Sequence, residues 1–175
     1  MDLDRTIATL ERTPRVLRVL LADAPAELVD RPYGPDTWTA REVVAHLIFG
    51  EQTDWMPRLE HILAHGETSP FCSFDRAGHK HLLSHSPAEL LDSFEAHRRD
   101  SLAALRARNL SAADLARRGR HPALGTVTVA QLLATWVVHD LNHVAQVCKA
   151  MAFQLKGDVG PWEQYLSILA PPRPR

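Results

Sequence analysis

Cysteine is nearly missing from this chain. Cys72 and Cys148 are the only two in 175 residues, with no C-x-x-C pair, which excludes a disulfide framework; two reduced thiols are expected, one in a loop and one in a helix. Long apolar runs are missing as well. None approaches the roughly 20 residues that cross a bilayer, and Met1-Asp2-Leu3-Asp4-Arg5 lacks the basic start and apolar stretch of a secretory leader. A soluble, cytoplasmic protein with no membrane partner is the expectation. Neither sign of charge dominates: 20 Lys and Arg stand against 21 Asp and Glu. A nucleic-acid partner normally requires a basic face, and none is implied. Sustained period-two alternation is also lacking. Thr126-Val127-Thr128-Val129 comes nearest and is too short to predict a sheet.

What the chain does contain is helix. Hydrophobic residues make up 45% and charged residues 23%, an ordinary globular balance, and the length suits one domain over residues 1–170 with a frayed Pro/Arg tail at 171–175. The first segment, about Asp4 to Ala22, has Leu3, Ile7, Leu10, Leu17 and Leu21 near helical spacing, and Pro14 should kink or restart it. Thr39-Ala40-Arg41-Glu42 is a capping box opening a second helix to about Ala64, with a bend at Pro57. Residues 66–85 read as a long loop with one irregular helical turn, a length often associated with functional lids. Ser86-Pro87-Ala88-Glu89 opens a third helix, ending near Arg108. Ser111 to Asp114 repeats the capping pattern, and Thr128-Val129-Ala130-Gln131 opens a fourth helix reaching about Phe153. Residues 161–169 read as a short docked helix. The fold class that follows is all-α, an antiparallel four-helix bundle with one or two short extra helices.

Ten histidines are many for this size. Seven sit among polar neighbours and read as solvated. His46, His139 and His143 lie in strongly apolar helical runs. His139 and His143 are four apart, so their imidazoles stack on one helical face, and His46 comes from another helix. Neutral imidazole suits Zn, Ni, Cu and Fe(II). Three protein ligands with an open side is the catalytic pattern; the alternative is three packed core histidines. Asp140 follows His139 directly and is rotated about 100° from it, so it does not stand where a zincin glutamate would. Gln146 shares the ligand face, and Asp54, eight residues after His46, is set to line the same cavity. Glu51 is turned toward another helix or solvent. Trp38, Trp55 and Trp136 read as core aromatics or pocket walls, and Arg98-Arg99 as a solvated face.

The tryptophan and capping threonine before Arg41-Glu42-Val43-Val44-Ala45-His46-Leu47 resemble the first motif of the DinB/YfiT-like superfamily of predicted metalloenzymes. The run from His121-Pro122-Ala123-Leu124-Gly125 through Trp136-Val137-Val138-His139-Asp140-Leu141-Asn142-His143 resembles its second. That resemblance implies a four-helix bundle and a divalent metal, often zinc or nickel, on three histidines matching His46, His139 and His143. It also implies homodimers and, from characterised relatives, a low-molecular-weight thiol as cosubstrate. The expected function is a metal-dependent enzyme that activates a thiol or water against a small-molecule substrate, as a thiol-dependent S-transferase or a hydrolase. A non-catalytic helical-bundle binding protein is the alternative.

Overall fold

In the computed structural model of the chain, residues 2–170 are described; the tail expected at 171–175 lies outside them. Helices dominate: α1 (Leu3–Leu10), α2 (Arg12–Leu21), α3 (Ala26–Val29), α4 (Ala40–Thr53), α5 (Trp55–His65), α6 (Pro87–Ala107), α7 (Ala112–Leu115) and α8 (Val129–Gln154). Four rods build the bundle. The first is α1 running into α2, and the second is α4 running into α5. The α1–α2 and α4–α5 rods each pack mainly against α6 and α8, the third and fourth rods, so the first and second rods stand diagonally opposite one another, as do the third and fourth.

The starts are local. Thr39, Ser86, Ser111 and Thr128 each accept from the amide three residues on, while the acidic or amide side chain at that position returns to the cap amide, satisfying two orphan donors at each of these four starts. Pro14 has no amide hydrogen to give the carbonyl of Leu10 four residues back, and the first rod divides at Glu11. The second rod breaks at Asp54, whose φ of -115° leaves the helical range. Its end at Gly66 carries a φ of +56°, which only a residue without Cβ adopts freely.

Two features depart from the reading of the sequence. Where the sequence predicts no sheet, an antiparallel hairpin forms, β1 (Arg118–His121) with β2 (Gly125–Thr128), pairing Arg118 with Thr128 through His121 with Gly125. Four-residue strands cannot show a period, and this turn is held by a side chain: His121 Nδ1 accepts from the amides of Ala123 and Leu124 at 3.0 and 3.1 Å. The hairpin lies on α5, where Gly119 meets Ile62 so closely that a Cβ would collide. The expected helix at 161–169 is instead two short 3-10 helices, Gly160–Tyr165 and Ser167–Leu169. They dock through buried Leu169 and leave Trp162 and Tyr165 exposed.

The core has two apolar halves. One gathers Leu17, Leu21, Val43, Leu47, Phe94 and Val147; the other gathers Leu10, Trp55, Leu59, Leu102, Leu133 and Trp136. Buried polar residues from α4, α6 and α8, Glu51, Arg98 and Asp140 among them, are interspersed with this core. The 66–85 segment contains one 3-10 helix, Gly78–Ser84, packed on α4. It is held at its other end by Phe71, whose amide donates to the carbonyl of Arg120 at 3.2 Å and whose ring is buried in the second half. No helix among the described residues is long and apolar enough to cross a membrane.

Candidate metal centre

The structure brings the three sequence-predicted histidines together. His46 Nε2 lies 3.2 Å from His139 Nε2, and His139 Nε2 lies 3.1 Å from His143 Nε2. One ring nitrogen from each falls within a common 4.8 Å sphere of separations. His46 comes from the second turn of α4. His139 and His143 come from successive turns of α8, which the helical repeat aligns. His46 and His143 are 6% exposed, so three aromatic nitrogens converge where water is scarce.

Hydrogen bonding alone does not account for this arrangement. His143 Nδ1 stands 2.9 Å from Gln146 Oε1. An amide oxygen only accepts, so that ring carries its proton on Nδ1 and turns a lone pair at Nε2 toward its neighbours. Nδ1 of His46 and of His139 is buried without a partner. Burial first, and neighbouring His143 second, pushes His46 down to about 3 and His139 to about 2; His143 is lowered chiefly by burial against the raising hydrogen bond to Gln146. All three are therefore neutral at pH 7, the form that ligates. Separations of 3.1–3.2 Å are what two bonds of roughly 2.0–2.1 Å to one centre produce. Donor type, charge state and spacing fit a divalent transition metal.

The histidines open onto a cavity of about 950 Å³. Trp38 lies tilted against His46, with ring centroids 4.8 Å apart, and Phe74 stands edge-on to the same ring at 5.3 Å. Trp55 meets His139 at 5.0 Å and stacks on Trp136 at 5.5 Å. Trp38 and Trp55 are thus pocket walls, while Trp136 is core. Asp54 lines the cavity as its spacing from His46 suggested. Burial, opposed by Arg58, raises it to about 6.

Two residues correct the sequence reading. Arg98, read as part of a solvated face, is 1% exposed. All five of its guanidinium hydrogens are engaged: Nε and Nη2 donate to Glu51 Oε1 at 3.0 and 2.7 Å, Nη1 and Nη2 to Asp140 at 2.5 and 3.1 Å, and Nη1 to the Leu10 carbonyl at 2.9 Å. That carbonyl is the one Pro14 leaves without a helical donor. Asp140 therefore serves Arg98, and Glu51 faces α6 and accepts from Trp136 Nε1 at 3.1 Å. His79, read as solvated because its sequence neighbours are polar, is also 1% exposed. It lines the cavity, stands 5.8 Å from the His46 ring and has no partner on either ring nitrogen. Its one available signal was Gly78, where a Cβ would strike the Phe49 ring and keep the turn off α4.

A family profile described as the DinB superfamily matches residues 9–147. A curated relative, the "Putative metal-dependent hydrolase" of Oceanobacillus iheyensis, is 28% identical over 144 residues, 81% of each chain. Among solved structures the fold is similar to YfiT from Bacillus subtilis, described as "a probable metal-dependent hydrolase with an unusual four-helix bundle topology". That likeness has a TM-score of 0.70 and 23% identity, and it covers 90% of this chain and 87% of the other. At that identity it establishes the four-helix bundle fold.

Proposed function

The chain belongs to the DinB superfamily, and from that premise we propose that it is a metal-dependent hydrolase of a small-molecule substrate, with His46, His139 and His143 holding the cation. The convergence of three Nε2 atoms at 3.1–3.2 Å carries this reading, and the hydrolase name of the 28% identical relative supports water as the nucleophile. When bound, the cation supplies a Lewis acid that polarises an acyl or phosphoryl oxygen and brings the pKa of water toward about 7. The side chains do the rest. Gln146 Oε1 holds the His143 proton on Nδ1 and keeps Nε2 free to ligate. Trp38, Trp55 and Phe74 narrow the cavity and exclude bulk water near the histidines. His79 presents unpartnered ring nitrogens to a bound substrate, which can both donate to and accept from it.

Zinc and nickel are the proposed metals, since neutral imidazoles favour both. Thiol transfer is the second chemistry for the same centre. Neither Cys72 nor Cys148 lines the cavity, so a thiol would enter as a separate low-molecular-weight cosubstrate. The reading includes a homodimer, supported by a stripe of exposed Ala134, Val138, Leu141 and Ala145 along α8 at helical spacing.

The test is metal analysis of protein purified without a polyhistidine tag. About one equivalent of zinc or nickel is expected per chain, falling below a tenth in His143→Ala while the helical circular dichroism is retained. Wild-type protein that stays below a tenth of an equivalent after incubation with either metal ends the proposal.

A further inference from the structure

The second rod turns one continuous stripe toward the cavity: His46, Gly50, Asp54 and Arg58 follow one another at four-residue intervals and all line it. Arg58 is the unexplained member. Its side chain is only 12% exposed, and its Nε lies 2.5 Å from Asp54 Oδ1. Its guanidinium carbon sits 4.8 Å above the Phe71 ring, and Phe71 is itself fixed by the hairpin. One carboxylate, in an ion pair that leaves Nε without a hydrogen bond, and one aromatic face thus hold the guanidinium in place. Neither terminal nitrogen donates to any described residue, and both belong to a side chain that borders the cavity. Two more cations, Arg76 and Lys80, line the same space, while the lining carboxylate, Asp54, is already paired with Arg58. A chain of net charge -1 has gathered positive charge around one cavity.

We propose that Arg58 is the anion-reading end of this cavity, and that the substrate carries a carboxylate or phosphate group that docks on its free fork. A pre-oriented guanidinium with two unused donors matches the planar pair of oxygens on such a group. Twelve residues separate His46 from Arg58, roughly 18 Å of helix axis, a span shortened by the lean of the arginine toward the helix N-terminus. The anionic group and the reacting bond therefore sit at opposite ends of the ligand, with an apolar body between them along Trp55 and Phe74. A cavity of about 950 Å³ accommodates a molecule of that length.

This inference deepens the hydrolase reading and rests on it for the word substrate, but its test does not depend on the metal. Benzoate and phenylphosphonate, too short to reach both ends, are titrated by calorimetry into metal-free and zinc-treated full-length protein, with benzamide and benzylamine as neutral and cationic controls. Expected results are binding of at least one anion at least tenfold tighter than either control, in both metal states, and at least a tenfold loss in Arg58→Met. If phenylphosphonate alone shows this, the group is a phosphate; if benzoate does, it is a carboxylate. Should Arg58→Met fail to fold, Arg58→Lys, which keeps the charge and loses the fork, is expected to weaken binding severalfold. Anion affinity unchanged in the folded variant, benzamide binding as tightly as benzoate, or anion binding confined to zinc-treated protein overturns the proposal. Protein that takes up no metal yet binds anions through Arg58 sinks the hydrolase reading alone.

Discussion

Two polar clusters lie buried in this bundle, both drawing on α4 and α8, and they are built in opposite ways. Around Arg98, two carboxylates and a carbonyl use every guanidinium hydrogen, and the Trp136 indole donates to one of those carboxylates. Around His139, three neutral rings aim lone-pair nitrogens at one point and leave two Nδ1 atoms without partners. The first is nearly closed: opposite charges and matched donors offset most of their desolvation locally, and Glu51 Oε2 is its one oxygen buried without a partner. The second is open to a cavity, and its lone pairs suit the cation of the proposed function. His139 and Asp140 are adjacent residues on α8, one in each cluster. The difference teaches that burial of polar groups is not one phenomenon, and that the satisfied layer holds still the helices on which the unsatisfied layer stands.

The largest effect is expected from opening the closed cluster. Arg98→Met strands two buried carboxylates and should cost about 3–5 kcal/mol in urea denaturation. A triple variant, Glu51→Leu with Arg98→Met and Asp140→Leu, should recover at least half of that loss. Equal destabilisation by the triple variant would mean that the ions matter for something other than mutual neutralisation. Next, Gln146→Leu removes the acceptor that fixes the His143 tautomer. Zinc affinity by chelator competition should fall about 10–100-fold, with the urea midpoint nearly unchanged. An unaltered affinity would show that the histidines need no orienting partner.

Acid should separate the clusters further. His46 and His139 titrate at about 3 and about 2 when folded, against 6.5 when free. The unfolded chain therefore binds more protons below about pH 6.5, and the stability these groups confer, complete above that value, is lost as pH falls. Each contributes a slope of up to about 1.4 kcal/mol per pH unit. Asp54, raised to about 6, runs the other way. Comparing metal-free wild type with His46→Gln/His139→Gln between pH 7.5 and 5 isolates the histidine share, and equal slopes would contradict the assignment. The smallest effect concerns neither cluster. Val138→Glu on the exposed face of α8 should convert a dimer of about 40 kDa by light scattering to a monomer without changing metal content. A wild type already at monomer mass disposes of the dimer.

The helix starts were legible in the sequence because a capping box is a four-residue interaction, complete within its own segment. His46, His139 and His143 were legible because a polar residue on an apolar stripe is conspicuous at helical spacing. Arg98 was not. Its immediate neighbours, His97 and Arg99, suggested a wet face, and its partners lie 47 and 42 residues away on other helices. His79 was missed for the same reason: a loop residue has no period, and its burial depends on Phe49, Trp38 and His46 folding around it.

Local pattern by itself determined the four helix starts marked by capping boxes and which three imidazoles share the apolar faces, since short-range hydrogen bonds and side-chain periodicity need no distant partner. Only the tertiary structure decided that the first and second rods stand on the diagonal, that Arg98 is buried between two carboxylates and that Arg58 and His79 border one cavity with the histidines. Those outcomes are contacts between residues far apart in the chain, and their energies exist only once the intervening segments have packed.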